Sequence, residues 1–121
     1  MDKTVNIKAL GANIKRYRAD KGITALRLAE QAGVSLSHIN NIESASANAS
    51  AEVLVRIANA LEISLDILLS DSLKGESNRR AKMLEYSRVL EDCDEEELRI
   101  IVGTVTALKW ELRQKKEKNH E

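Results

Sequence analysis

The sequence predicts an all-α protein: a five-helix globule followed by a pair of helices near the C-terminus. Three observations lead there. The chain holds no proline, no phenylalanine and only five glycines, so the residues that punctuate a turn-rich β fold are scarce. Apolar residues recur at spacings of three and four, the period of a helix rather than the alternation of a strand. The periodic stretches are separated by Ser, Thr, Asp or Gly at the places where helix caps belong.

Taken in order, the first helix runs from about Asn6 to Asp20, with Ile7, Leu10, Ile14 and Tyr17 on one face. Lys21-Gly22 ends it, since glycine reaches the left-handed conformation of a helix stop. Thr24 caps a second helix through Ala32, with Leu28 and Ala29 inward, and Gly33 makes the turn. Ser35 caps a third, Leu36 to Glu43, whose Ile39 and Ile42 face the core. Ser44 to Ala49 is small, polar and aperiodic, which reads as a loop. Ser50 caps a fourth helix, Ala51 to Leu61, burying Val53, Leu54, Ile57, Ala58 and Leu61, and Ser64 caps a short fifth, Leu65 to Leu69.

A polar segment around Gly75 gives the expected division: a domain over 1–71, a linker over 72–78 and a helical hairpin over 79–118. In the hairpin, a helix over 79–90 carries Met83, Tyr86 and Leu90 as its apolar stripe. Asp94 caps the last helix, and Glu97 completes a capping-box-like start. Leu98, Ile101, Val105, Leu108 and Leu112 then repeat at 3-4-3-4 spacing, a heptad seam. The seam can pack on the preceding helix, on a second chain, or on both in a four-helix interface. Two short helices alone bury little, which favours a dimer element.

Composition excludes several classes. No apolar run approaches a membrane span, and Asp2, Lys3, Lys8 and Lys15 interrupt any signal-peptide pattern. The single cysteine, Cys93, excludes an intrachain disulfide and a cysteine-cluster metal site, and fits a reducing cytoplasm. As a thiol it is either inert or a redox handle at the start of the last helix. The histidines are His38 and His120, with no metal-ligand spacing and no phosphate loop. No metal, cofactor or catalytic activity is therefore expected. The net charge is zero, whereas strong non-specific DNA affinity normally needs a surplus of Lys and Arg.

The informative block runs from Gly22 to Glu43: a capped helix, a glycine turn and a second capped helix. That is the helix-turn-helix unit, which presents its second helix to a major groove. Arg18, Gly22-Ile23-Thr24, Leu28-Ala29, Ala32-Gly33-Val34-Ser35, Ile39 and Ile42-Glu43 follow in order, then Leu54 to Leu61 and Ile63 to Leu68. With these residues the chain resembles the phage repressor/Cro-type, or XRE, helix-turn-helix family over about residues 7–70. The resemblance implies a DNA-binding transcriptional regulator, expected to act as a repressor. It would bind double-stranded DNA at a symmetric operator as a homodimer, its recognition helices about 34 Å apart. It also implies a structural ion pair between Arg18 and Glu43.

Helix geometry selects the DNA-facing residues. At about 100° per residue, with Ile39 and Ile42 inward, Ser37, Asn40, Asn41 and Ser44 point outward, while Leu36 and His38 lie on the flanks. The base-contact candidates are Leu36, Ser37, Asn40 and Asn41. An amide such as Asn41 can bond an adenine edge bidentately, and Leu36 can pack on a thymine methyl. The resemblance places base reading on Leu36, Ser37 and Asn41. The phosphate-contact candidates are Thr24 and Ser35 at helix N-termini, Arg27 beside the first, and Ser44.

The chain departs from the family's pattern in three ways. Ala25 stands where glutamine is common, the loop after Glu43 lacks the usual glycine and proline, and Val34 to Val55 contain no Lys or Arg. Lys115, Lys116 and Lys118 form a basic tail, solvated or contacting phosphate. The charge balance supports a rival reading: an antitoxin-like accessory regulator that docks a protein partner on its C-terminal helices.

Overall fold

Side-chain caps set where the helices begin. The computed structural model describes residues 4–120, with side chains through Asn119, so Asp2, Lys3 and the His120 side chain lie outside the described residues, as does the N-terminal edge of the expected 1–71 domain. Helix α1 (Ile7–Lys21) starts where the Asn6 side chain accepts the Ala9 N–H at 3.0 Å. Helices α2 (Ala25–Ala32), α3 (Leu36–Glu43) and α4 (Ala51–Leu61) start behind Thr24, Ser35 and Ser50. Those hydroxyls accept the N–H groups of Arg27, His38 and Val53 at 3.0, 3.0 and 3.2 Å. Ser64 caps α5 (Leu65–Leu68), and Asp94 caps α7 (Glu95–His120) by accepting the Glu97 N–H at 2.8 Å.

Helices α1 to α5 close one core. Leu10, Ile14 and Tyr17 of α1 meet Leu28, Ala29 and Ala32 of α2, Ile39 and Ile42 of α3, and Leu54, Ile57, Ala58 and Leu61 of α4, with Ile63, Ile67 and Leu68 closing the end. Ile7 and Val53 are half-buried at the edge of this core rather than inside it. At eight residues each, α2 and α3 are too short to persist by helix propensity alone. Burial holds them, at roughly 1.5–3 kcal/mol for each enclosed Leu or Ile.

Helix α6 (Gly75–Ser87) departs from expectation in its start and in its buried face. It begins inside the segment 72–78, and a single 3-10 turn over Arg88–Leu90 follows it. Met83 and Tyr86 are 55% and 62% exposed, while Ala81 is 1% exposed. The reason is that α6 docks through polar groups. Ser70, in a 3-10 turn over Ser70–Ser72, is buried; its carbonyl accepts the Asn78 amide at 2.6 Å and its hydroxyl lies 3.4 Å from Lys82 Nζ. Glu85 of α6 meets Arg16 of α1 at 3.1 Å, and Asn13 of α1 donates to the Leu68 carbonyl at 3.1 Å and to Asp71 at 2.8 Å. Small Ala81 allows the close approach, and an apolar-period pattern carries no trace of such a contact.

The chain divides into two compact units, Met1–Glu85 and Tyr86–Glu121, so most of α6 packs with α1 to α5. In the second unit α7 is a 26-residue helix. Of its heptad positions Leu98 and Ile101 are half-buried, and Val105, Leu108 and Leu112 are exposed. Thr104 and Thr106 donate back to the Ile100 and Val102 carbonyls at 2.8 and 2.7 Å, which satisfies their hydroxyls on the helix itself. Among the described residues there is no strand, no helix long and apolar enough to cross a membrane, and no group of three or more metal-ligating side chains.

Candidate nucleic-acid interface

Gly33 takes φ 68°, the left-handed conformation that lets α2 stop and α3 start at once. The Val34 N–H closes the turn on the Ala29 carbonyl at 3.0 Å. Ile39 and Ile42 are clamped in the core, which fixes the rotation of α3. Its opposite face then carries Ser37, Asn40, Asn41 and Ser44 exposed, with Leu36 exposed and His38 half-buried on the flanks. The four base-contact candidates therefore share one accessible surface. Among the described residues no hydrogen bond occupies the side chains of Ser37, Asn40 or Asn41, so their donors and acceptors remain available to a ligand.

The phosphate-contact candidates fare unequally. Thr24 and Ser35 use an oxygen lone pair as caps and keep their O–H groups as donors, beside the free N–H groups of a first helical turn. Arg27 lies 3.5 Å from Glu30, which partly answers its charge. Ser44 is engaged locally: its hydroxyl donates to the Asn41 carbonyl at 3.3 Å and lies 3.0 Å from the Ser46 hydroxyl.

The segment after α3 is more ordered than an aperiodic loop. Ala45 has φ 63°, and the Asn41 carbonyl accepts the N–H groups of Ser46 and Ala47 at 2.9 and 3.1 Å. The turn thus uses the left-handed conformation usual for glycine with an alanine in it. The density of short hydroxyl side chains was the only trace of it in the sequence.

Arg18 and Glu43 form a bidentate pair, Nε to Oε2 at 2.8 Å and the second guanidinium nitrogen to Oε1 at 3.0 Å. A third bond runs from the guanidinium to the Ile23 carbonyl at 3.0 Å. The two side chains are 16% and 8% exposed. Hydrogen bonding to Glu43 raises the Arg18 guanidinium above its ordinary range, against the opposing pull of burial. The pair ties the C-terminal end of α3 to α1 and to the entry of α2.

Gly11 is a positioning residue that periodicity did not reveal. A methyl group there would overlap the Ile42 carbonyl oxygen and lie 2.6 Å from that of Glu43, so only glycine lets α1 cross the end of α3. In the other unit, partial burial and then the carboxylates of Glu97, Asp92 and Asp94 push the Cys93 thiol up. That keeps it protonated and weakly nucleophilic at neutral pH.

Comparison with known proteins agrees with this geometry. A helix-turn-helix family model matches residues 14–68. The HTH-type transcriptional regulators SinR of Bacillus licheniformis and Bacillus subtilis are each 36% identical over 63 residues, 51% of this chain and 57% of theirs. The chain thus matches little more than half the length of these curated relatives. Among solved structures, the clp gene regulator ClgR from Corynebacterium glutamicum is 34% identical with TM-score 0.53, over 70% of this chain and 89% of that one. A chain of the SinR protein/SinI protein complex is 26% identical with TM-score 0.51, over 83% and 97% respectively.

Proposed function

The chain belongs to the XRE-type family of helix-turn-helix transcriptional regulators, and from that premise we propose that it is a repressor that binds a symmetric operator as a homodimer. Helix α3 enters the major groove, where Asn41, Ser37, Asn40 and Leu36 meet base edges. Thr24, Ser35 and Arg27 meet phosphates beside it. The heptad seam of α7 joins two chains. One observation carries the reading: α3 is locked from behind by the Arg18–Glu43 pair while the side chains of Ser37, Asn40 and Asn41 on its outer face stay unbonded among the described residues. A rigid helix with unused hydrogen-bonding groups is what direct readout requires.

Selection of bound sequences from a random DNA pool tests this, with Asn41→Ala run alongside. The expected result is a two-fold-symmetric consensus that loses preference at one position per half-site in the variant. A consensus without symmetry would remove the homodimer from the proposal.

A second reading is favoured by the zero net charge and by the absence of Lys and Arg from Val34 to Val55. In it the same fold serves as an accessory regulator that docks a protein on the C-terminal helices. The likeness to a SinR protein/SinI protein complex gives it structural company. No enrichment of any DNA at low salt, with a partner retained by residues 86–120, would select this reading over the first.

A further inference from the structure

We propose that Lys8 and Lys15 of α1 bind phosphates of the DNA strand that runs past the α3–α4 turn. The inference rests on the DNA-binding reading and deepens it. Val34 to Val55 supply no cation, so charge for the backbone beside α3 has to come from another element. Arg27 apart, which already meets a phosphate in that reading, the arginines of α1 and α4 are matched: Arg16, Arg18 and Arg56 lie 3.1, 2.8 and 2.8 Å from carboxylates. Lys8 and Lys15 are exposed and have no carboxylate partner among the described residues.

Their position follows from Gly11, which faces the Ile42 and Glu43 carbonyls at the end of α3. At about 100° per residue, Lys8 and Lys15 project within about 60° of that direction, on the side away from Leu10, Ile14 and Tyr17. Near the start of α1, Thr4, Val5 and Ile7 share a shallow concavity with Asn48 and Ala49. Helix α1 therefore borders the α3–α4 turn along one edge, and that edge carries both unpaired ammonium groups. The exposed neighbour Ala12 adds no bulk against an approaching backbone. With α3 in the groove, the strand flanking its C-terminal end passes this edge, and a flexible lysine meets a phosphate as a mobile point charge.

The salt dependence of operator affinity tests the assignment. The double variant Lys8→Gln, Lys15→Gln is expected to lower the slope of log affinity against log salt by about 2 for each half-site, and so by about 4 for a symmetric operator held by two chains. It should weaken binding to all sequences alike, keep the base consensus and melt like the unsubstituted chain. Lys74→Gln, an exposed lysine before α6 with no carboxylate partner among the described residues, should leave the slope unchanged. An unchanged slope in the double variant, while the unsubstituted chain binds, overturns the assignment. So does loss of one base preference, which would make a lysine a base reader. If the unsubstituted chain binds no DNA at low salt, the DNA-binding reading fails and the phosphate role fails with it.

Discussion

Arg18 shows what a single side chain contributes here. Its guanidinium makes three hydrogen bonds from a nearly enclosed position, two of them to a carboxylate that is 8% exposed. Truncating it leaves Glu43 buried without a partner, so Arg18→Ala should cost about 3 kcal/mol in urea unfolding. Base preference in the selection experiment should stay the same, because no base-contact candidate is touched. The Arg18 pKa is raised on folding, so its contribution is fully present below the unfolded value and is lost only as pH rises through the folded one. Stability through the neutral range should therefore show no pH step from this arginine. Ala45 is the opposite case, a residue whose backbone works against it. A left-handed alanine costs roughly 1–2 kcal/mol, and glycine returns part of that as unfolded-state entropy. Ala45→Gly should stabilise by about 0.5–1 kcal/mol and raise the melting temperature by a few degrees.

At the scale of elements, α6 is the instructive one. The turn signals around Gly75 and the stripe of Met83, Tyr86 and Leu90 point to a linker and an amphipathic helix. In the structure most of the helix is an outrigger of the first unit, held by Ser70, Asn78, Lys82 and Glu85 around a buried Ala81. The 2.6 Å bond from Asn78 to the Ser70 carbonyl is partly buried. Losing it leaves the carbonyl with only the 3.3 Å bond from the Leu73 N–H, at about 1 kcal/mol. Asn78→Ala should thus speed hydrogen exchange across residues 75–85 while the amides of α1 to α4 keep their protection. Uniform loss of protection would mean instead that α6 is integral to the main cooperative unit.

For the whole molecule, the question is how two units divide the work. The first has a closed core and presents α3. The second offers α7, where Ile100, Val102, Val105, Leu108, Trp110 and Leu112 are all more than half exposed within one chain. Gly103 and the β-branched residues around it give the middle of this helix weak intrinsic propensity, so packing has to support it. Charging the seam with Val105→Glu and Leu108→Glu should convert a dimer to a monomer in sedimentation. Affinity for a two-half-site operator should then fall by about 100-fold or more, with half-site affinity unchanged. A chain that sediments as a monomer before substitution would remove the seam from the proposal.

The amino-acid sequence by itself determined the helix starts at Thr24, Ser35, Ser50, Ser64 and Asp94, the inward faces of α1 to α4, and the outward row of Ser37, Asn40 and Asn41. These are local matters. A cap bonds a backbone group two or three residues on, and a helical face repeats within one turn, so both are written in consecutive residues. Tertiary structure alone decided that Gly11 must be glycine, that Ala45 turns left-handed and that Ala81 rather than Met83 is buried. Each depends on which distant segment crosses it, and residues far apart in the chain share no period that could announce the meeting.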